Sequence, residues 1–181
     1  MDSRSDREHC SQAARYQHNL SEIYKQGHPD AQFNLGFLYD KGTGVEQDLQ
    51  KAAYWFLKAA EQGHPSGQYG LANKYRYGIG VEQDLQKAAY WFLKAAEQGD
   101  PGGQCGLAEL YYEGIGVEQD FKKAANWYLK AAEQEDPDAQ FALVSMYRDG
   151  IGVEQDIIQA TKWCRQAAMQ GHEGAIRLLG W

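Results

Sequence analysis

One spacing constrains this chain more than anything else in it: every proline lies 36 residues from the next, at Pro29, Pro65, Pro101 and Pro137. Four of the five tryptophans keep the same interval (Trp55, Trp91, Trp127, Trp163), and so do Gly42, Gly78, Gly114 and Gly150. Gly44, Gly80, Gly116 and Gly152, with Asp48, Asp84, Asp120 and Asp156, complete the register, which runs without an insertion. A fixed period of this length is the signature of stacked units, each burying its apolar face against its neighbours.

Each unit reads as two helices. Pro29 suits a first helical position, where its missing N–H costs nothing. Ala31, Leu35 and Tyr39 then share a stripe, and Gly42 can leave the helix at positive φ. After a Gly-Thr-Gly-Val loop anchored by Val45, Asp48 caps a second helix running to about Gln62. Its apolar positions Ala52, Ala53, Trp55, Phe56, Ala59 and Ala60 cover most of its circumference, as a helix between two neighbours requires. The tryptophans are expected to fill the gaps between alanines, so that Trp91→Ala costs roughly 3–5 kcal/mol. The organisation expected is a polar tail (1–9), a degenerate half-repeat capping helix (10–27), repeats at 28–63, 64–99, 100–135 and 136–171, and a partial repeat (172–181). In that last segment Leu178, Leu179 and Trp181 have no following helix to cover them.

The unit A-x-x-x-L-G-x-x-Y-x-x-G-x-G-V-x-x-D-x-x-K-A-A-x-W-x-x-K-A-A-E-Q-G, as it stands at 31–63, resembles the Sel1-like repeat, a relative of the tetratricopeptide repeat. The resemblance covers about residues 10–181. It implies an all-α, right-handed α-solenoid of antiparallel helix pairs, acting as an adaptor or scaffold in protein complexes rather than as an enzyme. A cysteine-rich branch of the family is linked to penicillin binding and hydrolysis. That alternative transfers poorly, because no repeat here holds a cysteine pair.

Comparing the repeats with one another locates a candidate site. Residues 45–63 and 81–99 are identical at all 19 positions, whereas 30–41 and 66–77 agree at only three of 12. Divergence therefore sits on the first helices, which line the concave groove in tetratricopeptide-like stacks. Laid on that pattern, the groove positions read Asp30, Phe33, Phe37, Asp40 and Lys41; then Ser66, Tyr69, Asn73, Arg76 and Tyr77. The later repeats give Gly102, Cys105, Glu109, Tyr112 and Glu113; then Asp138, Phe141, Ser145, Arg148 and Asp149. Aromatics and charges in this mixture suit a peptide or protein partner, since Tyr, Phe and Arg dominate interface hot spots. Neutral drift on a solvated face is the competing explanation. Exposed aromatics at Phe33, Phe37, Tyr69 and Phe141 weigh against drift, because they need cover.

Composition narrows the partner. With a formal net charge of −7, the chain repels phosphate backbones, so nucleic acid is not expected and a basic peptide or protein face is easier to recruit. The longest apolar run is six residues, Ala52 to Leu57, far short of the roughly 20 that cross a bilayer. The first 30 residues hold no apolar signal core, and Cys10, Cys105 and Cys164 follow no pairing pattern, which leans toward a reducing, cytoplasmic setting. No cofactor or metal site is expected: His28, His64 and His172 occupy equivalent positions in different repeats, too far apart to share an ion. Cys105, on the groove, is the thiol expected to meet a reagent, and Cys164 is expected in the core. Self-association through the C-terminal end is a further possibility, with Trp181 its marker.

Overall fold

The computed structural model describes residues 27–180; all but the last residue of the capping helix expected at 10–27, the polar tail and Trp181 lie outside that range. The described residues form nine helices and no strand. The first helices of the four repeats are α1 (Pro29–Lys41), α3 (Pro65–Tyr77), α5 (Pro101–Glu113) and α7 (Pro137–Asp149). The second helices are α2 (Leu49–Glu61), α4 (Leu85–Glu97), α6 (Phe121–Glu133) and α8 (Ile157–Met169), and α9 (Glu173–Leu179) opens a fifth hairpin. None is long and apolar enough to cross a membrane.

The caps explain the boundaries. Oδ1 of Asp48, Asp84 and Asp120 accepts the N–H of Lys51, Lys87 and Lys123 at 2.9 Å, and Asp156 caps α8 in the same way. Asp100 and Asp136 cap α5 and α7 through Gly103 and Ala139. His64 and His172, poor capping residues by type, nevertheless cap α3 and α9: their Nδ1 accepts the N–H of Gly67 and Ala175. Glycines at positive φ end the first helices. One departure from the pattern is Glu135, which stands where the other repeats have Gly63, Gly99 and Gly171 and is held at φ 66°, a conformation that costs a non-glycine residue about 1–2 kcal/mol.

Packing follows the period. The second helices bury alanines on both sides, Ala52, Ala53, Ala59 and Ala60 in α2 and their counterparts beyond. The rings that fill the spaces are not the tryptophans. Phe56, Phe92 and Tyr128 are buried and Cys164 takes the same place in α8, while Trp55, Trp91 and Trp127 are only half-buried at the margin; Trp163 alone among them is buried. Only in the last repeat does the first helix answer a smaller partner with a larger residue. Gly36 lies against Phe56, Ala72 and Ala108 serve Phe92 and Tyr128, and Val144 shares a cluster with the smaller Cys164.

A polar seam runs through this core. Gln32, Gln68, Gln104 and Gln140 are each at most 6% exposed. Gln68 donates to the Ala60 carbonyl of the preceding repeat at 3.3 Å and accepts from Gln98 of its own repeat at 2.7 Å. The same links recur at Gln104 and Gln140. They join the start of each first helix to the end of each second helix, which fixes the hairpins as antiparallel. Buried amides left without partners are costly, so the seam also sets the stacking register. A second register device is Gly80, at positive φ, where a Cβ would overlap the Leu49 carbonyl; Gly116 and Gly152 meet Leu85 and Phe121 in the same way. The result is an all-α solenoid.

Candidate functional site

The face made by α1, α3, α5 and α7 carries the divergent positions, and the structure divides them into three groups. Some are spent on packing. Phe33 is stacked on His64 with ring centroids 4.8 Å apart, and Phe141 on His172 at 4.3 Å. Neither is the bare aromatic that its helical position suggests. Tyr112 packs edge-on to Phe121 at 5.3 Å. The Ser145 hydroxyl donates to the Ala142 carbonyl, and the Asn73 amide to the Tyr69 carbonyl.

Others are spent on ion pairs. Asp40 meets Lys74, Arg76 meets Glu109, and Glu113 lies 3.8 Å from Arg76. These pairs lace the first helices of successive repeats together. Lys74 is the notable member: it is 6% exposed and occupies the position that Leu38, Leu110 and Met146 fill elsewhere. Arg148 and Asp149 form a two-bond pair with each other, at 2.8 and 2.7 Å. Arg148 holds the Asp149 carboxyl below the usual carboxylate range.

The third group faces solvent. Phe37 is 48% exposed, Tyr69 38% and Tyr77 58%. The Lys41 ammonium lies 5.9 Å from the Phe37 ring, and the Arg76 guanidinium 5.3 Å from the Tyr77 ring.

Cys105 corrects an expectation. It is buried, not reagent-facing, because Gly103 and Gly106 bring α5 close to α4 and leave the thiol beneath Tyr69 and Asp136. Burial first, then the charges of Asp136 and Glu109, push this thiol far above the ordinary range. Cys164 is buried in the core, and burial pushes it up too.

Between α3 and α5 the face deepens into a cavity of about 140 Å³. Tyr69, Asn73, Arg76 and Tyr77 come from α3, Gly102, Cys105, Gly106 and Glu109 from α5, and Phe92 from α4. Asp136 and Asp138 close the far side from the start of α7. Burial raises the Asp136 carboxyl, opposed by its hydrogen bond from the Ala139 amide, and the neighbouring Asp138 adds repulsion. Eight of the residues expected on the groove meet here. Asp136, Phe92 and Gly106 were not among them, since a helix cap, a core ring and a helical glycine all look purely structural in sequence.

The histidines follow a rule that becomes visible only in three dimensions. Because Nδ1 of His64 caps α3, its proton sits on Nε2, which faces Asp30 at 3.1 Å. His172 repeats this with Asp138 at 3.5 Å. Where the junction cap is an aspartate, at Asp100 and Asp136, the Asp30-type position is Ser66 or Gly102, so two carboxylates never oppose one another. Asp30, Phe33 and His64 thus vary as one unit, as do Asp138, Phe141 and His172. Among the described residues no three His, Cys, Asp or Glu side chains are grouped to hold a metal ion.

Comparisons with known proteins agree with this architecture. The model of the Sel1 repeat matches residues 29–64, 65–100, 101–136 and 137–172. No curated protein matches significantly. Among solved structures, c5321, a protective antigen present in uropathogenic Escherichia coli strains and displaying an SLR fold, is 37% identical with a TM-score of 0.85. The match covers 90% of this chain and 35% of that one. A Sel1 repeat protein from Oxalobacter formigenes is 41% identical with a TM-score of 0.79, over 89% of this chain and 47% of its own. Cysteine rich protein B of Helicobacter pylori is 30% identical with a TM-score of 0.58, over 76% of this chain and 98% of its own. The chain therefore spans between a third and a half of the first two. Four matched repeats, the capped hairpins and the shared stacking lead to one conclusion: this chain belongs to the Sel1 repeat family.

Proposed function

We propose that this chain is a protein-interaction scaffold whose first helices line a concave groove receiving an extended segment of a partner protein. Sel1 repeat proteins generally mediate protein–protein interaction. The observation that carries the groove reading is the row of exposed aromatics, Phe37, Tyr69 and Tyr77, on the one face where the repeats differ. Aromatics with large contact area and few rotors are the residues from which interface anchors are made. The net charge of −7 favours a segment with basic residues.

The test uses a random peptide library displayed on phage and selected on the wild-type chain. Binding of the selected peptides is then measured on a Phe37→Ser/Tyr77→Ser variant. Both side chains are exposed, so the fold is preserved, as circular dichroism checks. Loss of binding supports the groove; equal binding by the variant places the contact elsewhere. Substituting Phe33 or Arg76 instead would confuse binding with stability, since both are used in packing or pairing between repeats.

A second reading, self-association, is favoured by one observation. Ile157 and Ile158 on α8 are 56% and 81% exposed, at the seat where Leu49, Leu85 and Phe121 receive the glycine loop of the next repeat. Sedimentation velocity showing a monomer at every concentration would remove it. For the hydrolase alternative, a cysteine nucleophile is disfavoured, because both described thiols are buried with raised pKa values.

A further inference from the structure

We propose that the cavity between α3 and α5 is a receptor for one arginine side chain of the bound segment. This deepens the groove reading and rests on it. The size is sufficient: a cavity of about 140 Å³ has room for a guanidinium. The charge fits as well. Glu109, Asp136 and Asp138 line the cavity against a single cation, Arg76. Arg76 is already engaged by Glu109 and by Glu113, which stands 3.8 Å away. Asp136 uses Oδ1 to accept the Ala139 amide at 2.8 Å, lies against the Cys105 thiol, and has no ionic partner among the described residues. Asp138 has only the capping imidazole of His172, 3.5 Å away. Its side chain is 76% exposed, which leaves it accessible to a cation from solution.

The walls choose between cations. Tyr69 lines the cavity and is 38% exposed, and Tyr77 already holds the Arg76 guanidinium 5.3 Å from its ring; a guanidinium stacks on such rings while its planar fork meets two carboxylates. A lysine ammonium is more strongly hydrated and meets one carboxylate as a point charge. Among the described residues, the neighbouring repeats differ at these positions. At the junction before it Asp40 is closed by Lys74 and Phe33 by His64, and in the last repeat Arg148 is closed by Asp149. A single anchor would therefore fix the register of a segment on a groove whose repeats otherwise look alike.

The experiment follows backbone amide shifts by nuclear magnetic resonance while N-acetyl-arginine N-methylamide is added. The neutral citrulline analogue, of nearly the same shape, is added in parallel. The expected result is saturable shifts clustered at Gly102, Gly106, Glu109 and Asp138 with arginine and none with citrulline. Asp138→Asn, a surface change, should weaken the arginine response about fivefold, the upper end for an exposed ion pair. Citrulline shifting the same amides, arginine shifts spread evenly over the acidic surface, or an unchanged response in Asp138→Asn would each overturn the proposal. The peptide selection is read alongside. If Phe37→Ser/Tyr77→Ser abolishes peptide binding while arginine leaves the four amides unmoved, the pocket falls and the groove stands. If that variant binds the peptides normally, the groove reading falls whatever arginine does.

Discussion

Gly70 and Gly106 occupy the same position in consecutive repeats, yet replacing each with alanine should shift stability in opposite directions. Both lie inside a helix, α3 and α5, so alanine gains about 0.8–1 kcal/mol of helix propensity at either site. The difference is the ring below. A Cβ on Gly70 would stand 3.4 Å from Phe56, an ordinary contact. A Cβ on Gly106 would stand 2.5 Å from the fully buried Phe92 ring, so the ring or the helix has to shift. Overpacking of this kind costs about 1–3 kcal/mol, which outweighs the propensity gain and leaves Gly106→Ala about 0–2 kcal/mol less stable than wild type. Gly70→Ala should come out up to about 1 kcal/mol more stable. The assay is urea unfolding at room temperature, followed by far-ultraviolet circular dichroism and tryptophan fluorescence. Adding Phe92→Leu to Gly106→Ala should relieve the clash and make the two changes less than additive. Equal shifts for both glycines, in either direction, would refute the claim that the local ring contact decides the sign.

Three further outcomes are expected. Asp40→Ala strands the buried Lys74 ammonium and should cost about 3–5 kcal/mol in urea unfolding, while adding Lys74→Met, which restores the apolar residue of the other repeats, should recover most of it. Asp84 and Asp136 should show opposite pH behaviour in thermal melts. The backbone and side-chain hydrogen bonds of Lys87 depress the Asp84 carboxyl, so its contribution is present above about pH 4 and is lost as pH falls through its lowered value; Asp84→Asn should destabilise most at neutral pH. Burial raises Asp136, so its charge costs stability above its raised value; Asp136→Asn keeps a capping oxygen and should stabilise at neutral pH, with the gain vanishing in acid. Finally, in a Cys10→Ser variant the native protein should react slowly with Ellman's reagent at mildly alkaline pH, and denaturant should release both thiols at once; fast reaction of Cys105 in the native state would contradict its burial.

Much of the fold was legible because the caps are local. An aspartate before a helical run, a proline at its first position and a glycine after it mark boundaries without reference to the rest of the chain, and all recur at one period. What sequence could not give was the inward direction on the second helix. Trp55 and Phe56 are adjacent and both apolar, and only the angle at which the next hairpin arrives decides that the phenylalanine goes inside. The candidate site was legible as a face but not as a set of roles. Divergence marked Phe33, Arg76 and Glu109 correctly as first-helix residues. Divergence arises equally from binding and from private bargains between neighbouring repeats, however, and Phe33 with His64 or Arg76 with Glu109 are of the second kind. Lys74 escaped notice because a lysine on a helix reads as solvated, and its buried state depends on Asp40, 34 residues away.

The glutamine seam has a consequence for how an array of this kind can change length. Gln104 donates to Ala96, and the segment that contains Ala96 is identical to the one that contains Ala60. Excising residues 64–99 would join Gly63 to Asp100 and present Gln104 with Ala60 in the same surroundings, with every amide still paired. Removing one residue more or fewer would misalign the seam and leave buried amides facing hydrocarbon. The hydrogen bonds therefore act as a ruler: gain or loss of a whole unit keeps the seam amides paired, although the charges at the new junction change, because Asp100 would then stand where His64 meets Asp30, and any other change of length breaks the seam itself.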